Sequence, residues 1–248
     1  MTLTTVRRLA VLFSIMLVSG AVHASLWDWL TGRKATASAP QGRVAMATYG
    51  TPNNALINPA QVGTPEDFAH WLSENPYERQ TVYAYDVYLQ RHLGRAVPMH
   101  ELLTTARSWQ ACGFERYAVP PRELWANIIP TLNLYYTLQW QGVLPTTTQI
   151  RSVYRSPDLN ACAGGAPASK HLTNGAIDIW VPTLHSEAAI LDLKDNLCQF
   201  WRTNGQMYHF GLGLYATGAI HLDTQGYRKW GAEYTRADSP CRDTPVYP

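Results

Sequence analysis

His171 and Asp178 stand seven positions apart in Ser169-Lys170-His171-Leu172-Thr173-Asn174-Gly175-Ala176-Ile177-Asp178, and His221 follows in Ala219-Ile220-His221-Leu222-Asp223. Two imidazoles and one carboxylate are the ligand set of a catalytic zinc that keeps a fourth position open for water. Such an ion polarises a carbonyl and lowers the pKa of water to about 7, which is hydrolytic chemistry. The bland alternative is that histidine and aspartate are ordinary loop residues, because the spacing alone is a loose motif. The flanking residues decide between the two.

Thr173-Asn174-Gly175 is a turn signal, since Asn and Gly tolerate positive φ. The next residues, Ala176 to Val181, alternate small or polar with β-branched and aromatic types, which predicts a strand. A loop carrying His171 therefore folds back beside a strand carrying Asp178. In the second segment Ile220 and Leu222 alternate with His221 and Asp223, so on a strand both polar side chains share one face and both aliphatics enter the core.

Upstream lie Ser152-Val153-Tyr154-Arg155-Ser156-Pro157, Asn160 and Gly164-Gly165-Ala166; downstream lie Gly211-Leu212-Gly213-Leu214-Tyr215, Gly226 and Trp230. In this order, with Glu101-Leu102-Leu103 and Pro120-Pro121 before them, the motifs closely resemble the D-Ala-D-Ala metallopeptidases of the bacterial cell wall, over residues 98 to 231. That family shares its zinc core with lysostaphin-type peptidases and the hedgehog signalling domain. The resemblance implies Zn2+ bound by His171, Asp178 and His221, with Arg155 as a cation near the substrate carbonyl or carboxylate. A guanidinium can pair with a carboxylate or with the charge that develops in the transition state; a surface or loop-bracing arginine is the rival reading. Ser169 either shapes the loop before His171 or hydrogen-bonds substrate.

One departure bears on mechanism. Several branches of the family place a glutamate three residues before the last histidine as general base, and here that position is Gly218. Asp223 is the nearest replacement, either as catalytic base or as a partner that orients the His221 imidazole. Tyr215 and His209 are further candidates, although aromatics of a strand ordinarily pack in the core.

The rest of the chain supplies the setting. Arg7-Arg8 precede the apolar run Leu9 to Val18, and Val22-His23-Ala24 offers a small-residue cleavage site, so residues 1–24 read as a secretory signal. The run is shorter than a membrane span needs; a signal left uncleaved would instead be a membrane anchor. Loss of the two arginines takes the net charge from +2 to zero, which argues against nucleic-acid binding. Four cysteines in an exported chain, Cys112, Cys162, Cys198 and Cys241, favour two disulfides among three possible pairings. One at Cys162 would stiffen the rim of the site. The expected location is the periplasm or outside the cell.

Residues 25–62, rich in Ala, Gly, Pro, Asn and Ser, read as a linker, with an apolar Leu26-Trp27-Asp28-Trp29-Leu30 near its start. Residues 63–142 read as a helical extension, with helices from Thr64, over 78–93, near 99–110 and over 121–141, the last kinked or split at Pro130. Tyr83, Tyr85 and Tyr88 read as packing residues, and His70, His92 and His100 lack partners at metal spacing. Residues 143–248 form the peptidase core, with strands near 150–154, 176–181, 208–215 and 218–223 and an amphipathic helix from Ser186 to Asn204. The expected fold class is α+β: a small antiparallel sheet carrying the zinc ligands, backed by helices. Nine tryptophans and fourteen tyrosines mostly fill the core, with Trp180 and Trp230 expected near the cleft.

Three functions follow: a zinc peptidase cutting peptidoglycan stem peptides as carboxypeptidase or cross-link endopeptidase; a catalytically weak relative that binds cell-wall peptides in the zinc cleft; or a structural envelope protein with incidental histidines. Zinc content separates the third from the others.

Overall fold

The structure, a computed structural model, describes residues 63–242 other than positions 185 and 216. The expected signal, linker and tryptophan-bearing segment within 1–62 lie outside the described residues, which all belong to the compact unit Thr51–Pro248.

Helix α1 (Pro65–Glu74) begins as its sequence dictates: the Asp67 amide donates to Thr64 Oγ1 at 3.0 Å, with Pro65 in the first turn. Helix α2 (Pro76–Leu93) starts two residues earlier than expected, because Pro76 occupies a first-turn position, and it ends on Gly94 at φ 66°. Val82, Tyr85 and Leu89 form its buried stripe. Tyr83, off that stripe, is 70% exposed and does not pack as expected.

The helix expected over 99–110 is a correction. Only Met99–Leu102 (α3) is helical. Beyond it Thr104 bridges to Tyr117, and Thr105 Oγ1 donates to the Glu115 carbonyl at 2.9 Å. Hydroxyl bonds of this kind compete with helix propagation. The stretch 121–141 is split as Pro130 requires: a 3-10 helix over Arg122–Ile128, then α4 (Ile129–Trp140) with the proline in its first turn.

The catalytic half follows with β1 (Gln149–Ser152), α5 (Pro157–Cys162), a 3-10 turn over Lys170–Thr173, β2 (Ala176–Trp180), α6 (Glu187–Asn204), β3 (Gly211–Leu214), β4 (Ile220–Asp223) and β5 (Arg228–Trp230). The strands form one sheet in the order β1-β2-β4-β3-β5. The first three pairings are antiparallel, as expected; β5, which the sequence did not reveal, adds to β3 in parallel.

Alternation sorts the two faces. Ile150, Ile177, Ile179, Leu212, Ile220 and Leu222 are buried in a core shared with Tyr85 and Leu89 of α2, Leu132 and Leu138 of α4, and Leu197 and Trp201 of α6. A single hydrophobic cluster thus joins the helical stretch to the sheet. Asp178, His221 and Asp223 fall on the opposite face.

Candidate metal centre

The register of the sheet assembles the site. Asp178 of β2 stands opposite His221 of β4, and His221 stands opposite Gly213 of β3. His171 enters from the adjoining 3-10 turn, which Ser169 caps by accepting from the His171 amide at 3.4 Å. The turn closes on Asn174 at φ 54°, in the left-handed conformation that Asn tolerates. Asn174 Nδ2 then donates to Tyr85 Oη and the Leu124 carbonyl, both at 3.1 Å. The helical stretch therefore fixes the loop that aims His171.

Three atoms converge: His171 Nε2 lies 3.2 Å from Asp178 Oδ1 and 3.2 Å from His221 Nδ1, which lies 3.0 Å from Asp178 Oδ1. All three residues are buried. Ligands held ~2.0–2.1 Å from one ion in tetrahedral geometry would stand roughly 3.3–3.4 Å apart, close to these separations.

The outer contacts determine what these atoms present. His171 Nδ1 lies 2.5 Å from the Val153 carbonyl, which can only accept, so Nδ1 carries the proton and Nε2 a lone pair. His221 Nε2 faces Asp223 Oδ2 at 3.0 Å, which likewise assigns its proton and turns the Nδ1 lone pair inward. With Asp178 Oδ1, three electron pairs point at one place. They could hold a metal ion, and the chemistry of two imidazoles and a carboxylate fits zinc.

The electrostatics agree. Burial draws the His171 pKa down to about 4, with Arg155 acting in the same direction, so the ring is neutral at physiological pH. Burial would raise Asp178, but His171 and Arg155 outweigh it and hold the carboxyl well below the usual range. Burial would lower His221, yet its hydrogen bonds to Asp178 and Asp223 raise it above the ordinary value.

Arg155 lies against the ligand. Its Nη2 donates to Asp178 Oδ2 at 2.5 Å, and Nε and Nη2 donate to Ser152 Oγ at 3.0 and 2.8 Å. Ser152 Oγ in turn donates to the Thr105 carbonyl.

Asp223 shares the site face but is fully buried. Its oxygens are taken by His221 Nε2, by the Gln225 amide at 2.8 Å and by Arg228 Nη1 and Nη2 at 3.1 and 2.6 Å. This is the environment of a carboxylate that orients an imidazole, on the side of the ring away from the converging atoms. The geometry lends no support to Asp223 as catalytic base. Nor does the loop favour the missing glutamate: Gly218 has φ +78°, where a side chain is strained.

Arg228 is a functional partner that the sequence reading did not single out. Its signal is an alternation: Arg228-Lys229-Trp230 runs beside Gly211-Leu212-Gly213, pairing Gly211 with Arg228 and Gly213 with Trp230. The glycines leave the room through which Arg228 reaches Asp223 and Trp230 packs 5.1 Å from the His221 ring. Trp230 Nε1 donates to Tyr215 Oη at 2.9 Å, and burial raises the Tyr215 pKa, so the phenol keeps its proton. Trp180 shares the Asp178 face and bonds Gln149. His70 pairs with Glu74 and His92 contacts the Tyr88 carbonyl; neither these nor exposed His209 belong to the cluster.

Among the described residues, the disulfides are Cys112–Cys162 and Cys198–Cys241. The first ties the end of α5 to the loop after Thr105. A mixed sheet with a His-Asp-His cluster on one face defines a candidate metallohydrolase centre. The family model described as Peptidase M15 matches residues 103–223, spanning Arg155, His171, Asp178, His221 and Asp223, and this match supports the M15-type D-Ala-D-Ala metallopeptidase family for that stretch. No curated protein and no solved structure matches the chain.

Proposed function

We propose that this chain is an exported zinc peptidase that hydrolyses the stem peptides of peptidoglycan. The observation that carries the reading is the convergence of His171 Nε2, Asp178 Oδ1 and His221 Nδ1 within a peptidase M15 match. Zinc bound there would supply Lewis acidity toward a substrate carbonyl and toward water.

The chain's own residues do the rest. The Val153 carbonyl and Asp223 hold the two imidazoles in the tautomers that bind a cation, and Arg228 holds Asp223. Arg155 fixes Asp178 so that one oxygen is presented inward. Ser169 shapes the turn that carries His171. Tyr215, protonated and beside Trp230, is the group that donates to the oxygen on which charge develops.

The two disulfides fit an oxidising compartment. No helix among the described residues is long and apolar enough to cross a membrane. The second reading, a catalytically weak relative that binds cell-wall peptides, draws on one observation: Gly218, at φ +78°, stands where the family's glutamate would be.

Digestion of purified sacculi by the zinc-loaded protein, with product masses, separates the readings. Release of D-alanine or opening of cross-links, abolished by chelation and restored by zinc, is expected. Intact sacculi with peptides bound to the protein would favour the second reading.

A further inference from the structure

Beside the centre, β1 departs from regular pairing. Ile150 pairs with Ile179, whereas Ser152 stands opposite Asp178, so Arg151 is the extra residue of a bulge. Ile150 enters the core, while Arg151 lies within electrostatic reach of Asp178, Arg155 and Tyr215 on the site face of the sheet. Its side chain is almost wholly enclosed, with the residue 8% exposed, and Nε and Nη1 have no hydrogen-bond partner.

Asp178 attracts it but is already engaged. Asp178 gives one oxygen to the histidines and the other to Arg155. The other charges acting on Arg151 are Arg107 and Arg155, both repulsive. Burial lowers its pKa, but a guanidinium in a protein remains protonated. A buried cation with unmade hydrogen bonds is strongly unfavourable on its own, and a carboxylate is the planar anion that its fork accepts with two parallel bonds. Arg155, the arginine to which the family resemblance gives that task, is already engaged with Asp178 and Ser152.

We propose that Arg151 takes the free C-terminal carboxylate of a peptide whose last peptide bond lies at the His171–Asp178–His221 centre, and so makes this chain a carboxypeptidase. The inference rests on the peptidase reading above. Arg151 stands across the bulge from the ligand Asp178, and a terminal carboxylate lies one residue, at most ~3.6 Å of chain, beyond the scissile bond. The anchor thereby selects the last bond of a chain.

Two ligands test this: N-acetyl-D-alanyl-D-alanine and its C-terminal amide, titrated calorimetrically into the metal-free chain and used as substrates of the zinc-loaded chain. The expected result is tighter binding of the acid than of the amide, on the order of tenfold or more. Arg151→Met brings that ratio to about one and raises KM for the acid more than it lowers kcat. Arg151→Lys, which keeps the charge and loses the fork, retains part of the preference. Arg151→Met should also melt no lower than the parent, since it removes an unpaired buried charge; a structural brace would lower melting.

Equal affinity for acid and amide in the parent, or an unchanged preference in Arg151→Met, overturns the proposal. If Arg151→Met does not fold, an unchanged preference in Arg151→Lys does so. If no preparation hydrolyses any peptide, the peptidase reading fails, and the acid-to-amide binding ratio still decides the role of Arg151.

Discussion

Three electron pairs facing one another across 3.0–3.2 Å define the centre at the scale of single residues. They are held there by contacts that cannot be rearranged cheaply: a backbone carbonyl behind His171 and a fully buried carboxylate behind His221. The raised pKa of His221 fixes a sign. At and below its ordinary value of 6.5 the metal-free ring is mostly protonated, so zinc must displace that proton. Zinc uptake should release about one proton, and zinc affinity should weaken about tenfold per pH unit as the pH falls below the raised pKa. Calorimetry in buffers of different ionisation enthalpy measures both.

Asp223→Asn separates two roles. As an orienting partner, Asp223 sets the affinity of the site, and its loss should weaken zinc binding by roughly 10–100-fold. Normal zinc affinity with abolished turnover would restore the base assignment. Tyr215→Phe should leave zinc content unchanged and lower kcat on the order of 10²-fold, the usual effect of losing one donor to a developing oxyanion; steady-state kinetics of the zinc-loaded variant reads this.

At the scale of elements, the centre depends on three strands whose small and large residues interlock. A Cβ on Gly211 would stand 2.5 Å from Asp223 Oδ2, so Gly211→Ala should displace the carboxylate and weaken zinc binding although Gly211 touches no ligand. The Cys112–Cys162 bridge closes 50 residues of chain, and replacing both cysteines by serine should cost about 4 kcal/mol, lowering melting on the order of 10 °C. Calorimetric scans of oxidised parent and variant check this.

Alternation on β2 and β4 is a local property and placed Asp178 and His221 on strands, while the family resemblance joined His171 to them; the three cluster in the structure. Alternation did not reveal β5: three residues, two of them basic, show no apolar alternation, and their strand state comes from pairing with β3. The helix expected over 99–110 failed for a similar reason, since Thr104 and Thr105 find partners more than ten residues away at Tyr117 and Arg116. Arg151 was equally silent, because a bulge arises from the register between strands rather than from either strand alone.

At the scale of the whole molecule, the helices are more than a cover for the sheet. Tyr85 and Leu124 grip Asn174, and Thr131 Oγ1 donates to the Gly175 carbonyl at 2.9 Å, so the stretch before the sheet sets the turn that aims the first ligand. The presence of helices was readable from caps and periodicity. Their grip on Asn174 was not, since it joins residues 89 positions apart.

The central claim is that one zinc, held by His171, Asp178 and His221, performs the hydrolysis. Zinc per chain and D-alanine released from sacculi, measured on the same preparations of parent and His171→Ala, test it most directly. About one zinc per chain with product in the parent, and loss of both in a folded His171→Ala, is the predicted result. Hydrolysis by the parent without zinc, or zinc and turnover both retained in His171→Ala, would contradict it.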